Sequence, residues 1–383
     1  EFFKSIQSID FLRLRASYGR TGNSRIGTYT AVGLYDLSDR ENGYQAGGQY
    51  ANINPNVPPN PNLGWEVNKK FNIGIDVDFL GRFSLTTDFF HDNIEDMIVS
   101  REIIAESGYS SARINGASMF NQGLELSLNA EWFKNSKWKW RTSVNFTRIR
   151  NKVTSLTGLE SAFSTASVAR AQRVGQPTSA LWGINFVGID PATGRELFEV
   201  NGEVFDAVTI RNDFDETIWS PIGDTQPDLF GGINNTLTYG NISLQVIMSY
   251  EVGGDFFVQR SLIDNYNDLV FRNPPVEVFY DAWRSPGDVA ILPVITTFNP
   301  IVNNSSKYVY DNSHLKLKSV TIKYHIPLEE HKLPLNSLDV SLNGSNLYYW
   351  FREQTPEGRN GIAELRNQYP EMRAFTLRVS AAF

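Results

Sequence analysis

Residues 71–90 read "FNIGIDVDFLGRFSLTTDFF", and the parity of this stretch decides the fold class. Phe71, Ile73, Ile75, Val77 and Phe79 alternate with Asn72, Gly74, Asp76 and Asp78. After the Leu80-Gly81-Arg82 connection, Phe83, Leu85, Thr87 and Phe89 alternate with Ser84, Thr86 and Asp88. A period of two belongs to β-strands, with one oily face and one wet face. The same alternation runs outward along the chain. Leu124, Leu126, Leu128, Ala130 and Trp132 oppose Glu125, Ser127, Asn129 and Glu131, and Trp138, Trp140, Val144 and Phe146 oppose Lys139, Arg141, Ser143 and Asn145. The final stretch, "MRAFTLRVSAAF", repeats the pattern and ends on Phe383, an aromatic carboxy-terminus of the kind that serves outer-membrane barrels as an insertion signal.

Read this way, the 383 residues predict roughly twelve strands, near 9–20, 66–80, 82–100, 117–133, 137–152, 180–189, 195–204, 227–240, 241–257, 312–327, 335–350 and 371–383. The turn at Tyr239-Gly240-Asn241 suits a hairpin. In "HLKLKSVTIKYHIP" the apolar positions change from odd (Leu315, Leu317) to even (Val320, Ile322), which predicts a β-bulge near Lys318 and Ser319. The pair 180–189 and 195–204 rests mainly on the "DPATG" turn between its members.

Short connections, around Gly81, Asn135, Pro191, Gly240 and Glu330, alternate strictly with long ones, about 21–65, 101–116, 153–179, 205–226, 258–311 and 351–370. A transmembrane barrel sorts its connections so, with short periplasmic turns at one end and long extracellular loops at the other. A soluble sandwich that binds glycans is the competing architecture, and it has no reason to sort its loops. The expected fold is therefore all-β, a transmembrane antiparallel β-barrel with lipid on its oily face. Trp132, Phe133, Trp138 and Trp140 flank one short turn, where an interfacial aromatic girdle is expected, with Tyr348, Tyr349 and Trp350 at the opposite border.

Composition agrees. Aromatic residues make up 13% of the chain, which suits strands and interfaces, and there are no cysteines for disulfides or thiolate metal sites. A net charge of −7 and the lack of a dense basic stretch argue against a nucleic-acid partner. No window of about 20 apolar residues offers a transmembrane helix, so a spanning chain must cross with strands. The amino terminus, "EFFKSIQSID", lacks the basic and apolar regions of a signal peptide, which suggests processing or a start inside a larger protein.

Eight blocks, in order, resemble the carboxy-terminal barrel of the SusC/RagA-like TonB-dependent transporters of Bacteroidota outer membranes. They are "FLRLRASYGRTGNSRIGTY", "NPNLGWEVNKKFNIGIDVDFL", "FNQGLELSLNAEWFKNSKWKWRTSVNFTRIRNKV", "VGQPTSALWGINFVGIDPATGRELF", "GDTQPDLFGGINNTLTYGN", "HLKLKSVTIKYHIP", "LNGSNLYYW" and "YPEMRAFTLRVSAAF". The resemblance implies a barrel of about 22 strands around an amino-terminal plug, with residues 1–383 forming the carboxy-terminal part of that single barrel domain. The other barrel half, the plug and the TonB-contacting segment have no counterpart in these residues, and the sheet edges of a half-barrel need a partner in lipid. The resemblance further implies import of oligosaccharides or peptides, a SusD-like surface lipoprotein as lid, and energy from TonB. A barrel recruited as a scaffold of a larger outer-membrane assembly is the alternative. Where the family carries "DLNGDG", this chain reads "EVNGEVFD" at 199–206, which weakens a cation role there.

No catalytic constellation is expected, and none of the four histidines, His91, His314, His325 and His331, has metal spacing with a second ligand. No cofactor is expected, although Asp213, Asp215 and Glu216, with Asp224 and Asp228, make an acidic loop that could hold Ca2+ through hard oxygens. "SPGD" at 285–288 and "GDTQPD" at 223–228 are turn chemistry. Ligand contact is expected from aromatic side chains of the extracellular loops: Tyr29, Tyr35, Trp219, Tyr266, Trp283 and Tyr369.

Overall fold

In a computed structural model of the chain, the described residues are 8–23, 31–32, 35–36, 44–46, 49–53, 58–133, 137–157, 172–214, 218–258, 280–294, 304–328, 335–353 and 371–382. Ten strands form one antiparallel sheet in chain order: β1 (Ile9–Asn23), β2 (Glu66–Phe79), β3 (Phe83–Glu102), β4 (Ser111–Glu131), β5 (Trp138–Leu156), β6 (Leu229–Tyr239), β7 (Ile242–Val252), β8 (His314–His325), β9 (Ser337–Phe351) and β10 (Ala374–Ala382). Each strand pairs only with its sequence neighbours in this sheet. The two edges, β1 and β10, do not meet, so the sheet is a half-barrel.

Cross-strand register keeps the oily rows aligned. Ile73 lies opposite Phe89, which lies opposite Leu124; Val144 lies opposite Ile233, which lies opposite Met248. Across the far side, Ile322 faces Leu342 and Leu342 faces Leu377. A one-residue slip would turn a whole row to the wrong face, so the alternation itself holds the register. These rows stay open to the surroundings, with Leu14, Ile73 and Leu377 at 73%, 47% and 70% exposure. Side chains that large and that exposed, in a continuous band, need an apolar solvent.

All short connections lie at one end of the sheet. The β2–β3 turn puts Leu80 and Gly81 at φ 55 and 58, and β6–β7 turns at Gly240 with φ 54, where a missing Cβ removes the penalty of the left-handed region. The expected bulge is present. Lys318 drops out of register between Leu317 and Ser319, so Leu315 and Leu317 share a face with Val320 and Ile322 despite their change of parity.

The expected count of about twelve barrel strands becomes ten. Residues 180–189 and 195–204 do form β-structure, as Ala180–Gly183, Asn185–Ile189, Glu196–Val200 and Glu203–Asp206, but outside the barrel sheet. The physical reason is burial. Ala180, Leu181, Trp182 and Gly183 are buried in succession, as in a strand covered on both faces, whereas no strand of the barrel sheet buries more than two described residues in a row. Removing the pair leaves the short–long alternation intact and merges two loops into one, 157–228.

Two further boundaries move. β4 starts at Ser111 rather than 117, because residues 111–115 keep pairing with Ile98–Glu102 beyond a bulge at Glu95 and Asp96. The segment expected to run 241–257 breaks after Val252, where Gly253 and Gly254 take φ 72 and 76, and resumes as Asp255–Phe257. At 20 and 21 residues, β3 and β4 reach about 66 Å along the strand, well beyond a hydrocarbon core about 30 Å thick, so their hairpin stands out on the long-loop side.

Candidate lumen wall and extracellular cap

Opposite the oily face, β1–β3 carry an ion network. The Arg13 guanidinium donates to Asp76 at 2.8 Å, while Arg15 bridges Asp76 at 2.9 Å and Asp88 at 2.7 Å. Alternation sends these positions to the wet face, and register brings them together, with Arg13 opposite Asp76 and Gly74 opposite both Arg15 and Asp88. Gly74 leaves room at that crossing, since a Cβ there would make the Asp88 carboxylate and the Arg15 guanidinium shift.

The wall continues as uncharged polar pairs. Ser143 donates to Asn129 at 2.7 Å, Gln245 to Asn234 at 3.2 Å and Asn343 to Thr321 at 2.7 Å. Towards the long-loop end, Lys316 reaches Glu371 at 2.5 Å and lies 4.7 Å over the Tyr349 ring, whose hydroxyl donates to the same carboxylate at 3.0 Å. Tyr349 stacks on Phe351 at 5.5 Å. Tyr349 therefore belongs to the inner face, and only Tyr348 and Trp350, 4.7 Å apart and both 48% exposed, stand on the outer one.

Around the β4–β5 turn, Trp132, Phe133, Trp138 and Trp140 cluster on the outer face. Trp132 lies 5.7 Å from Trp140, Phe133 6.2 Å from Trp140, and Trp138 4.4 Å from Tyr239. Their indoles keep polar partners, as an interfacial residue must: Trp132 Nε1 donates to Thr142 at 3.0 Å and Trp140 Nε1 to Asn235 at 3.2 Å.

Above the sheet, loop residues 180–214, 218–224, 280–294 and 304–311 build a small packed cap. A meander of Asn185–Ile189, Glu196–Val200 and Glu203–Asp206 leads into the helix Ala207–Asp213. Its core is Ile184, Phe198, Val200, Ala207 and Ile210. The Asp206 side chain caps the helix by accepting from Thr209 N at 2.8 Å; that backbone bond, with help from Arg195, holds its carboxyl below the usual range. Asp190 orders the "DPATG" turn, accepting from Thr193 at 2.5 Å and from Ala192 N at 3.0 Å. The loop after β7 is tied in by Lys307 to Glu196 at 2.7 Å, a buried pair, and by Ile184 N donating to Asn304 at 2.9 Å.

Of the six aromatic residues expected to touch ligand, two have described side chains. Trp219 is half-buried and packs against the cap core and against Ala180 and Trp182. Trp283 is half-buried over Gly194, and its Nε1 donates to Pro191 O at 2.8 Å. Tyr35 lies in the short strand Tyr35–Asp36, and its side chain falls outside the description; Tyr29, Tyr266, Tyr369 and Phe383 lie outside the described residues. So do Asp215 and Glu216 of the acidic loop, while the Asp224 carboxylate accepts from Gln226 N at 2.9 Å. Among the described residues no group of three His, Asp or Glu gathers to hold a metal ion. His91 lies 5.4 Å from Phe120, His314 Nδ1 donates to Asn312 O at 2.8 Å, His325 pairs with Asp339, and His331 is outside the described residues.

Residues 7–177 match the family "TonB dependent receptor-like, beta-barrel". Over its whole length the chain is 27% identical to TonB-dependent receptor P26 of Formosa agariphila, covering 41% of that relative, and 22% identical to TonB-dependent receptor SusC of Bacteroides thetaiotaomicron, covering 38%. In structure it superposes over its full length on 42% of a chain of the RagAB peptide transporter, with a TM-score of 0.83 at 24% identity. The chain thus spans about two-fifths of the length of the curated relatives it matches. With strand order, one-sided loops, family match and relatives in agreement, residues 7–177 carry a TonB-dependent receptor β-barrel domain, and the chain over its whole length is similar to the barrels of TonB-dependent receptors of the outer membrane.

Proposed function

We propose that this chain is the carboxy-terminal part of the barrel of an outer-membrane importer for oligosaccharides or peptides, driven through TonB and lidded by a SusD-like surface lipoprotein. The observation that carries the reading is the two-faced wall: an oily band outside, and an inner face of ion pairs and amide and hydroxyl pairs that water or a plug can solvate. Such a wall encloses a polar pathway, and the cap over its long-loop end is where an incoming ligand first meets the chain. The remaining barrel strands and the plug would come from polypeptide beyond these residues, pairing with β1 and β10. The likeness to SusC and to the RagAB peptide transporter supports the two substrate classes.

The test is growth and uptake in the native host. Deleting the gene should abolish uptake of one class of oligosaccharide or peptide, loss of TonB should do the same, and a tagged full-length protein should copurify with a surface lipoprotein. Undiminished uptake, with the protein retained in a stable outer-membrane complex, would instead identify it as a scaffold.

A further inference from the structure

The outer face of β5 changes chemistry along its length. From the short-turn end it presents Trp138, Trp140, Thr142, Val144 and Phe146, then Arg148, Arg150 and Lys152, all of one parity. Orientation is fixed by the neighbouring strands: Arg148 lies opposite Leu124, Arg150 opposite Gln122 and Lys152 opposite Phe120. Phe120 in turn contacts His91, on the same face of β3 as the oily Phe89. All three cations are exposed, and among the described residues none forms an ion pair.

Height decides what they meet. A strand rises about 3.3 Å per residue and tilts about 40° in such barrels, so each step climbs roughly 2.5 Å along the membrane normal. The ten steps from Trp138 to Arg148 climb about 25 Å, the height of the apolar band itself. Arg148 therefore stands at the outer border of the hydrocarbon, with Arg150 and Lys152 above it. Asp224 and Asp228 line the same hollow as Arg150 and Lys152, with no ion pair to either cation among the described residues. On β1 and β2 the corresponding positions after the oily rows are Arg20 and Lys69, the latter neutralised by Glu95 at 2.6 Å.

We propose that Arg148, Arg150 and Lys152 bind the phosphate of a phosphorylated glycolipid of the outer leaflet. The lipid's acyl chains lie against Phe146, Leu124 and Leu126, and its phosphate bridges cations about 7 Å apart along one strand face. The lipid is favoured over a protein occupant by continuity: the cationic row begins where the lipid-facing row ends, on the same strand. The assignment rests on the barrel's placement in the membrane and is independent of what the barrel transports.

The test uses the full-length protein in phosphatidylcholine nanodiscs doped with diphosphoryl lipid A, with retained lipid counted by native mass spectrometry. Retention should fall about fivefold for Arg150→Gln and about a hundredfold for the triple Arg148→Gln/Arg150→Gln/Lys152→Gln variant. The charge-keeping Arg148→Lys/Arg150→Lys variant and the lumen-facing Arg13→Gln variant should retain lipid as the parent does. Heat-modifiable migration confirms that each variant is folded; if the triple variant does not fold, the single and charge-keeping variants decide. Equal retention by Arg150→Gln and parent, equal retention of the dephosphorylated glycolipid, displacement by millimolar inorganic phosphate, or a protein partner shielding the row in the isolated complex would each overturn the proposal.

Discussion

At the scale of single residues, the wall is held by contacts that parity foreshadows and only register completes. Asp76 and Arg15 are visible in the sequence as wet-face residues, yet nothing in their spacing says that a strand 61 residues away brings them within 2.9 Å. Glycines tell a similar story. Gly231 looks like a flaw in an oily row, but a Cβ there would run into the Asn145 carbonyl and the Tyr250 hydroxyl, which donates to that same carbonyl at 2.9 Å. An aromatic ring laid across a glycine restores packing on the strand. Gly231→Ala should therefore slow barrel assembly, read as a loss of the heat-modifiable band, while Gly240→Ala, at an open turn, should cost only the strain of its positive φ. In the cap, Asp206→Ala should destabilise the helix Ala207–Asp213 by about 1 kcal/mol, measured as faster amide exchange over 207–213. Because the folded carboxyl sits below its usual range, that contribution is present above the unfolded pKa and fades as pH falls through the lower folded value.

At the scale of elements, ten strands were legible because each repeats the period of two, β8 doing so on either side of its bulge. The pair 180–189 and 195–204 was legible as strand but not as cap, because a run buried on both faces and a short barrel strand look alike until their neighbours are known. The clamp on the β3–β4 hairpin was not legible either. Asn115 donates to Gly64 O at 3.0 Å and to Asp96 O at 2.7 Å, and accepts from Gly64 N at 2.7 Å, which staples residues 60–66 to the hairpin where Asp96 bulges with φ 56. Asn115→Ala should free that segment, with faster proteolysis between residues 58 and 65 and an unchanged barrel. A second joint links the loops: the Asp255 carboxylate, on Asp255–Phe257, accepts from Asp224 N at 2.8 Å. Burial raises its pKa, with Asp311, Asp224 and Glu353 adding to the rise. A raised folded value means that docking of this joint is favoured while the carboxyl is protonated and weakens as pH rises through that value. Asp255→Asn should remove the pH dependence of amide exchange at residues 255–257.

At the scale of the whole molecule, function depends on what lies on each face of one sheet. Loop sorting placed the long connections on one side, and the structure keeps that sorting after two strands leave the barrel, since they leave as a pair. The open edges at β1 and β10 agree with a chain that supplies about two-fifths of its relatives' length. These 383 residues hold no cysteine, so the central claim is directly measurable with single cysteines placed among them, any cysteine elsewhere in the full-length protein being replaced. Spin labels at 71–79, one position at a time along β2 of the full-length protein in lipid, should alternate. Odd positions should be relaxed by membrane-dissolved oxygen and even positions by a water-soluble nickel chelate, with a period of two. Equal access of the water-soluble reagent to both parities, or protection of the odd positions from both reagents by a second protein layer, would contradict it.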